Sequence, residues 1–128
     1  MRRTLITLGL LAVVTVATLT WSRAREFAAL EKLTAEINAA AADIDKAVTA
    51  EVPADPKVLT RHLERLGEFI KYTDELTPRM GDMAPKANGD AGDRFREAIS
   101  NYSKKSELIG PRLNEIQKRI DELKAKQK

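Results

Sequence analysis

The chain has 128 residues, which allows one domain of ordinary size, and its 22 basic and 19 acidic side chains give a net charge of +3. It contains no cysteine, which excludes a disulfide scaffold, a cysteine-ligated metal site and a thiol nucleophile. Only 5% of the residues are aromatic and 6 are glycine, so the composition favours an all-α fold.

The first predicted element is an apolar segment near the N-terminus. Residues 4–22 carry no charged side chain, and as a helix they would extend about 28 Å, close to the ~30 Å hydrocarbon thickness of a bilayer. This pattern predicts a single transmembrane helix within residues 1–22. Its apolar residues are Leu5, Ile6, Leu8, Leu10, Leu11, Val13, Val14, Val16, Leu19 and Trp21. The arginines that flank it are Arg2, Arg3, Arg23 and Arg25.

The same segment could instead be a secretory signal peptide, cleaved near Ser22. The apolar run is long for a signal peptide and Arg23 fits a cleavage site poorly, so an uncleaved signal-anchor is favoured. A short basic start before a long C-terminal region predicts a cytoplasmic N-terminus. We therefore expect a single-pass protein of the inner (plasma) membrane, with residues 23–128 as an extracytoplasmic, periplasmic domain.

Three amphipathic helices are predicted in that domain, at about residues 23–50, 56–77 and 93–126. Apolar residues recur every three or four positions in each stretch, as in a coiled coil. The first helix is rich in alanine, so a neighbouring helix could pack closely against it. The expected helix-packing or partner seam comprises Phe27, Leu30, Ile37, Ile44, Val48, Leu59, Leu63, Leu66, Ile70, Phe95, Ile99, Tyr102, Ile109, Leu113, Ile116, Ile120 and Leu123.

The ends of these helices have local signals. Asp55 is a helix-capping residue followed by Pro56, which suits the first helical position. Pro78 predicts the end of the second helix, and the Gly- and Pro-rich residues 78–92 predict a loop. The apolar phase continues across Gly110–Pro111, which predicts a kink in one third helix. Together these elements predict an antiparallel three-helix bundle or coiled coil with a small core.

Candidate chemical groups are few. His62 is the only histidine, and its charged neighbours predict a surface residue rather than a metal ligand. Met80 and Met83 could bind a soft metal, but a role at the membrane surface or the end of the bundle is favoured. Residues 88–93 lack the EF-hand spacing, because its glutamate position is occupied by Ile99. We therefore expect no catalytic residue, no metal and no cofactor.

The charge is polarised within the predicted bundle. Residues 104–128 hold eight basic and four acidic side chains, a net +4, while residues 26–103 carry −5. Cations near the end of a helix interact favourably with its dipole, and they could also meet an anionic partner. No aromatic residue is interleaved with these lysines, so we expect no nucleic-acid binding.

These features predict a non-enzymatic structural or adaptor subunit of a larger membrane or envelope complex, which acts through its helices on a protein partner or on copies of itself. One alternative is a helical sensory or ligand-binding module that modulates a partner. Others are a spanin-like envelope spacer, which it resembles in layout alone, and a secreted helical protein if the signal is cleaved.

Overall fold

The computed structural model describes the backbone of residues 2–127 and the side chains of residues 23–127. Within that part of the chain, four α-helices and one 3-10 helix leave only short connections, and no β-strand occurs. The elements are α1 (Arg2–Thr49), α2 (Pro56–Met83), the 3-10 helix Ala84–Lys86, α3 (Gly89–Ser106) and α4 (Ile109–Lys126). The prediction of an all-α fold is confirmed.

Helix α2 begins where its capping signal predicts and ends later than expected. The Asp55 carboxylate accepts the backbone N–H of Lys57 at 3.0 Å, and Pro56 is the first helical residue. The predicted end at Thr77–Pro78 is wrong, because the helix continues through Pro78 to Met83. Pro78 is exposed, so water can reach the carbonyl that the proline leaves without an N–H donor.

The predicted loop at residues 78–92 is therefore reduced to residues 84–88, and α3 begins at Gly89 rather than near residue 93. Gly89 has a φ of +67°, a conformation that glycine adopts without the steric cost of a Cβ. The chain thus turns sharply at this residue and enters α3 directly.

The third predicted helix is divided into α3 and α4 by Glu107 and Leu108, whose backbones remain in the right-handed helical region. The break lies close to the position that the sequence indicates. Pro111 lacks an N–H and its ring crowds the carbonyl four residues earlier, which belongs to Glu107. The predicted kink is in the structure a short interruption between two helices.

Ion pairs define the directions of α1 and α3. Arg94 contacts Glu31 and Lys105 contacts Asp45, each with an N···O distance of 2.8 Å. Because residue numbers rise together in both helices, α1 and α3 run parallel. This is the most extensive helix–helix interface among the described residues.

Helix α2 lies antiparallel to both of these helices. Arg79, near its C-terminal end, pairs with Glu36 at 2.7 Å, whereas its N-terminal end follows the short linker after α1. Helix α4 packs mainly against α2 and has little contact with α1 or α3. The prediction of a helical bundle is confirmed, with the distinction that α3 packs on α1 and α4 packs on α2.

The core lies along the meeting line of these helices. Of the predicted seam residues, the buried ones are Leu30, Ile37, Ile44, Leu59, Leu66, Phe95, Tyr102, Ile109 and Ile116. The half-buried ones are Val48, Leu63, Ile99, Leu113, Ile120 and Leu123. Two are exposed, Phe27 (55%) and Ile70 (42%).

Both exposed seam residues have a physical explanation. Residues 23–29 are all exposed, because the bundle begins only at Leu30 and no helix faces Phe27. On α2 the apolar stripe of a straight helix drifts about 20° per heptad, so Phe69 turns toward the core and Ile70 turns away. Phe27 and Ile70 therefore do not belong to the core.

The prediction of a membrane anchor is corrected. The side chains of the predicted span, with those of Arg2 and Arg3, lie outside the described residues, and Arg23 and Arg25 are exposed. Among residues 23–127, whose side chains the structure describes, no helix is long and apolar enough to cross a membrane. This finding overturns the transmembrane part of the predicted fold and the predicted location in the inner membrane.

Candidate interaction surface

His62 lies at the junction of α2 with α4 and the end of α1. It was predicted as a surface residue and is half-buried, and its Nε2 atom is buried without a hydrogen-bond partner among the described residues. Burial and the positive charge of Arg112 lower the pKa of His62, against the opposing effect of the Ala47 carbonyl. Within residues 23–127, no group of three or more His, Asp or Glu side chains could hold a metal ion.

Arg112 is buried, although it was not singled out as a predicted core residue. Its side chain is only 8% exposed and donates to the carbonyl of Ala50, directly after α1, where the helix dipole favours a cation. The signal was present in the spacing: Arg112 lies three residues after Ile109 and four before Ile116, on the buried side of α4. Arg112 thereby joins α4 to the C-terminal end of α1.

The two methionines lie on α2 rather than in a loop. Met80 and Met83 are half-buried in its last turns and pack against the hydrophobic core. Residues 88–90 form the start of α3, where the carboxylate of Asp90 lies in the first turn and interacts favourably with the helix dipole. These positions therefore have structural explanations at one end of the bundle.

A groove runs between α1 and α2, and we call it the α1–α2 groove. It has a volume of about 400 Å³. Its lining residues are Glu36, Ala39, Ala40 and Asp43 of α1 with Arg65, Glu68, Phe69 and Tyr72 of α2. The two aromatic residues are half-buried, and α1 has no large apolar side chain on this side, where Ala39 and Ala40 lie between Glu36 and Asp43.

The rim of the α1–α2 groove is acidic. Its lining has three carboxylates and one guanidinium, a net charge of −2, and one of the carboxylates, Glu36, is paired with Arg79. The Arg65 guanidinium lies 5.6 Å from the ring centroid of Phe69, in the range of a cation–π contact. Asp43 and Glu68 are exposed and form no ion pair with the described residues. The groove thus combines an apolar floor with an acidic edge.

A second, larger groove lies between α1 and α3, with a volume of about 720 Å³. Its lining is mainly polar and includes Thr34, Asn38, Asn101 and Lys104. The Arg94–Glu31 ion pair also lines it, and the hydrogen bond and negative charge of Glu31 raise the pKa of Arg94. This surface suits polar contacts more than the burial of apolar side chains.

Known proteins provide no guide to the role of these surfaces. No protein-family model, curated protein or solved structure matches this chain. A functional proposal therefore depends on the shape and charge of the bundle.

Proposed function

We propose that the protein is a non-enzymatic interaction module that binds a partner helix along the α1–α2 groove. The observation that carries this proposal is that the half-buried rings of Phe69 and Tyr72 line a groove beside the small residues Ala39 and Ala40. Aromatic residues are enriched at protein interfaces, and they contribute much of the binding energy where they are desolvated.

The α1 side of the groove favours a helical partner. The distance between packed helices is about 8–10 Å and depends on the side chains at the contact, so alanines permit a close approach. An amphipathic helix that lies in a groove contacts it through apolar residues spaced three or four apart. The acidic edge favours a partner with basic residues beside these apolar ones.

Photo-crosslinking in cells tests this proposal. A photoreactive amino acid is placed at Ala39, in the groove, or at Ala42, which is exposed on the same helix and lines neither groove. We expect a covalent protein adduct from position 39 and little from position 42. Equal yields at both positions, or no adduct at either, would contradict a docking role for the groove.

A ligand-binding role is the second candidate, supported by the size and polar lining of the α1–α3 groove. A small zwitterion or dicarboxylate would meet donors from Asn38, Arg94 and Lys104 there. The measurement is the thermal unfolding midpoint in the presence of amino acids and dicarboxylates. If a ligand raises the midpoint of the wild type and Lys104→Ala abolishes that rise, the result would support ligand binding over helix docking. If no ligand changes the midpoint, the result would count against ligand binding.

A further inference from the structure

The C-terminal end of α4 extends beyond the rest of the bundle. Arg112, in the first turn of α4, already lies beside the Ala50 carbonyl and close to His62. Val52, in the linker before α2, lines a shallow groove with Glu115, Lys118, Arg119 and Glu122 of α4. Of residues 121–127, only Leu123 is half-buried and the others are exposed.

This end of α4 has the chemistry that the α1–α2 groove favours. Residues 118–126 hold four basic and two acidic side chains, a net charge of +2, against −2 for the groove lining. Ile120 and Leu123 are half-buried and pack against the core of their own chain, whereas Lys118, Arg119, Lys124 and Lys126 are exposed. These exposed cations complement the acidic edge of the groove.

The α4 end cannot reach the groove of its own chain. Asp43 is the groove residue of α1 nearest to Ala50, and these seven residues of helix span about 10 Å. Beyond Ala50, α4 continues away from the groove, because α3 and α4 follow the direction of α1. The two complementary surfaces can therefore meet only between two molecules.

We propose that the α1–α2 groove binds the basic C-terminal end of α4 from a second copy of this chain. The proposal rests on the function proposed above and names the partner helix. Each copy has one groove and one α4 end, and these are different surfaces, so the contact is head-to-tail. Such a contact extends into a chain of copies unless its rotation closes a ring. Because exposed charges contribute to it, added salt weakens the assembly.

Two charge-reversal variants of the full chain test the proposal by sedimentation velocity. The groove variant carries Asp43→Lys and Glu68→Lys, and the tail variant carries Lys124→Glu and Lys126→Glu. All four residues are exposed, so the variants should fold, which circular dichroism checks. We expect concentration-dependent assembly of the wild type, weakened by salt, and an increase of about tenfold or more in the dissociation constant of each variant alone.

An equal mixture of the two variants should restore assembly. The basic groove of one variant then meets the acidic tail of the other, and each retains an unchanged surface that complements its partner. A matched control for the groove variant, Asp74→Lys with Glu107→Lys, makes the same change in net charge at exposed positions that line neither groove, and it should assemble as the wild type does.

Three results would overturn the proposal: a wild type that stays monomeric at every concentration, assembly that is unaffected by the groove variant, or a mixture that fails to recover. A monomeric chain that still crosslinks from position 39 to a different protein in cells would separate the two proposals. In that case the groove is a docking site and the second copy is not its partner.

Discussion

Replacement of Gly92 by alanine should destabilise the bundle, although the same change normally strengthens a helix. A Cβ at Gly92 would lie 2.3 Å from the carbonyl oxygen of Ala87 and 2.5 Å from its carbonyl carbon, where real Cβ contacts stay beyond 3.0 Å. Ala87 is 3% exposed and belongs to the core, and its carbonyl accepts a hydrogen bond of 2.9 Å from Arg96. The backbone at Ala87 therefore cannot move away without loss of packing.

The size of the effect follows from opposing contributions. The helix propensity of alanine over glycine stabilises the variant by about 1 kcal/mol. Overpacking destabilises it by about 1–3 kcal/mol, and a hydrogen bond to a charged group, such as the one from Arg96, contributes about 1.5–3 kcal/mol when intact. If about half of the Arg96 bond is lost, Gly92→Ala lowers the free energy of unfolding by roughly 1–3 kcal/mol. Gly67→Ala on α2 meets no atom within 4 Å, and should raise it by up to about 1 kcal/mol.

Urea unfolding followed by circular dichroism measures both variants. With a denaturant slope of about 1.5 kcal/mol per molar, a loss of 2 kcal/mol moves the midpoint down by about 1.3 M. The two substitutions are chemically identical and should shift the midpoint in opposite directions. If Gly92→Ala stabilises the chain as Gly67→Ala does, the close approach of residue 92 to Ala87 is not present in solution.

Three further predictions concern pH, the core and a helix cap. Burial and the charge of Arg112 lower the pKa of His62 in the folded state. The stability that neutral His62 allows is therefore complete above the unfolded pKa of about 6.5 and is lost as the pH falls toward the lower folded pKa. Unfolding measured across that pH range should show this loss of stability in the wild type and not in His62→Gln. Ile37→Ala, at a fully buried position, should lower the free energy of unfolding by about 2–5 kcal/mol. Phe27→Ala, at an exposed position, should change it by less than about 0.5 kcal/mol, and similar losses at both sites would contradict the assigned burial. Asp55→Ala should lower the free energy of unfolding by about 1 kcal/mol in thermal unfolding, because the cap of α2 is lost. Asp55→Asn should retain most of that stability, so equal losses in the two variants would argue against the cap.

Helical periodicity predicted the class of fold and much of the core, because burial on one side of a helix imposes a repeat of three or four residues. It was less informative about which side faces a neighbour. Leu113 and Arg112 are adjacent in α4, and the arginine is the more deeply buried one, since a carbonyl at the end of α1 accepts its hydrogen bond. That partner lies 62 residues away in sequence, beyond the reach of any local pattern.

Local breaking signals were also overruled by packing. Pro78 predicted the end of α2, but Leu76 and Met80 on either side of it are held in the core, and the helix continues. The α1–α2 groove was not predicted at all, because it depends on the register between Ala39 and Phe69 on different helices. The sequence suggested only that the alanines of α1 permit close packing.

The parallel pairing of α1 with α3 has a consequence for how the chain folds. The contacts that join these helices connect residues 60 and 63 positions apart, as in Lys105–Asp45 and Arg94–Glu31. Small helical proteins usually fold fast because most of their contacts are local, and long sequence separations slow folding through the entropy of loop closure. Here α2 must reverse the chain before the main interface can form, so we expect closure of the chain through residues 50–55 and 84–88 to slow folding more than the formation of any single helix does.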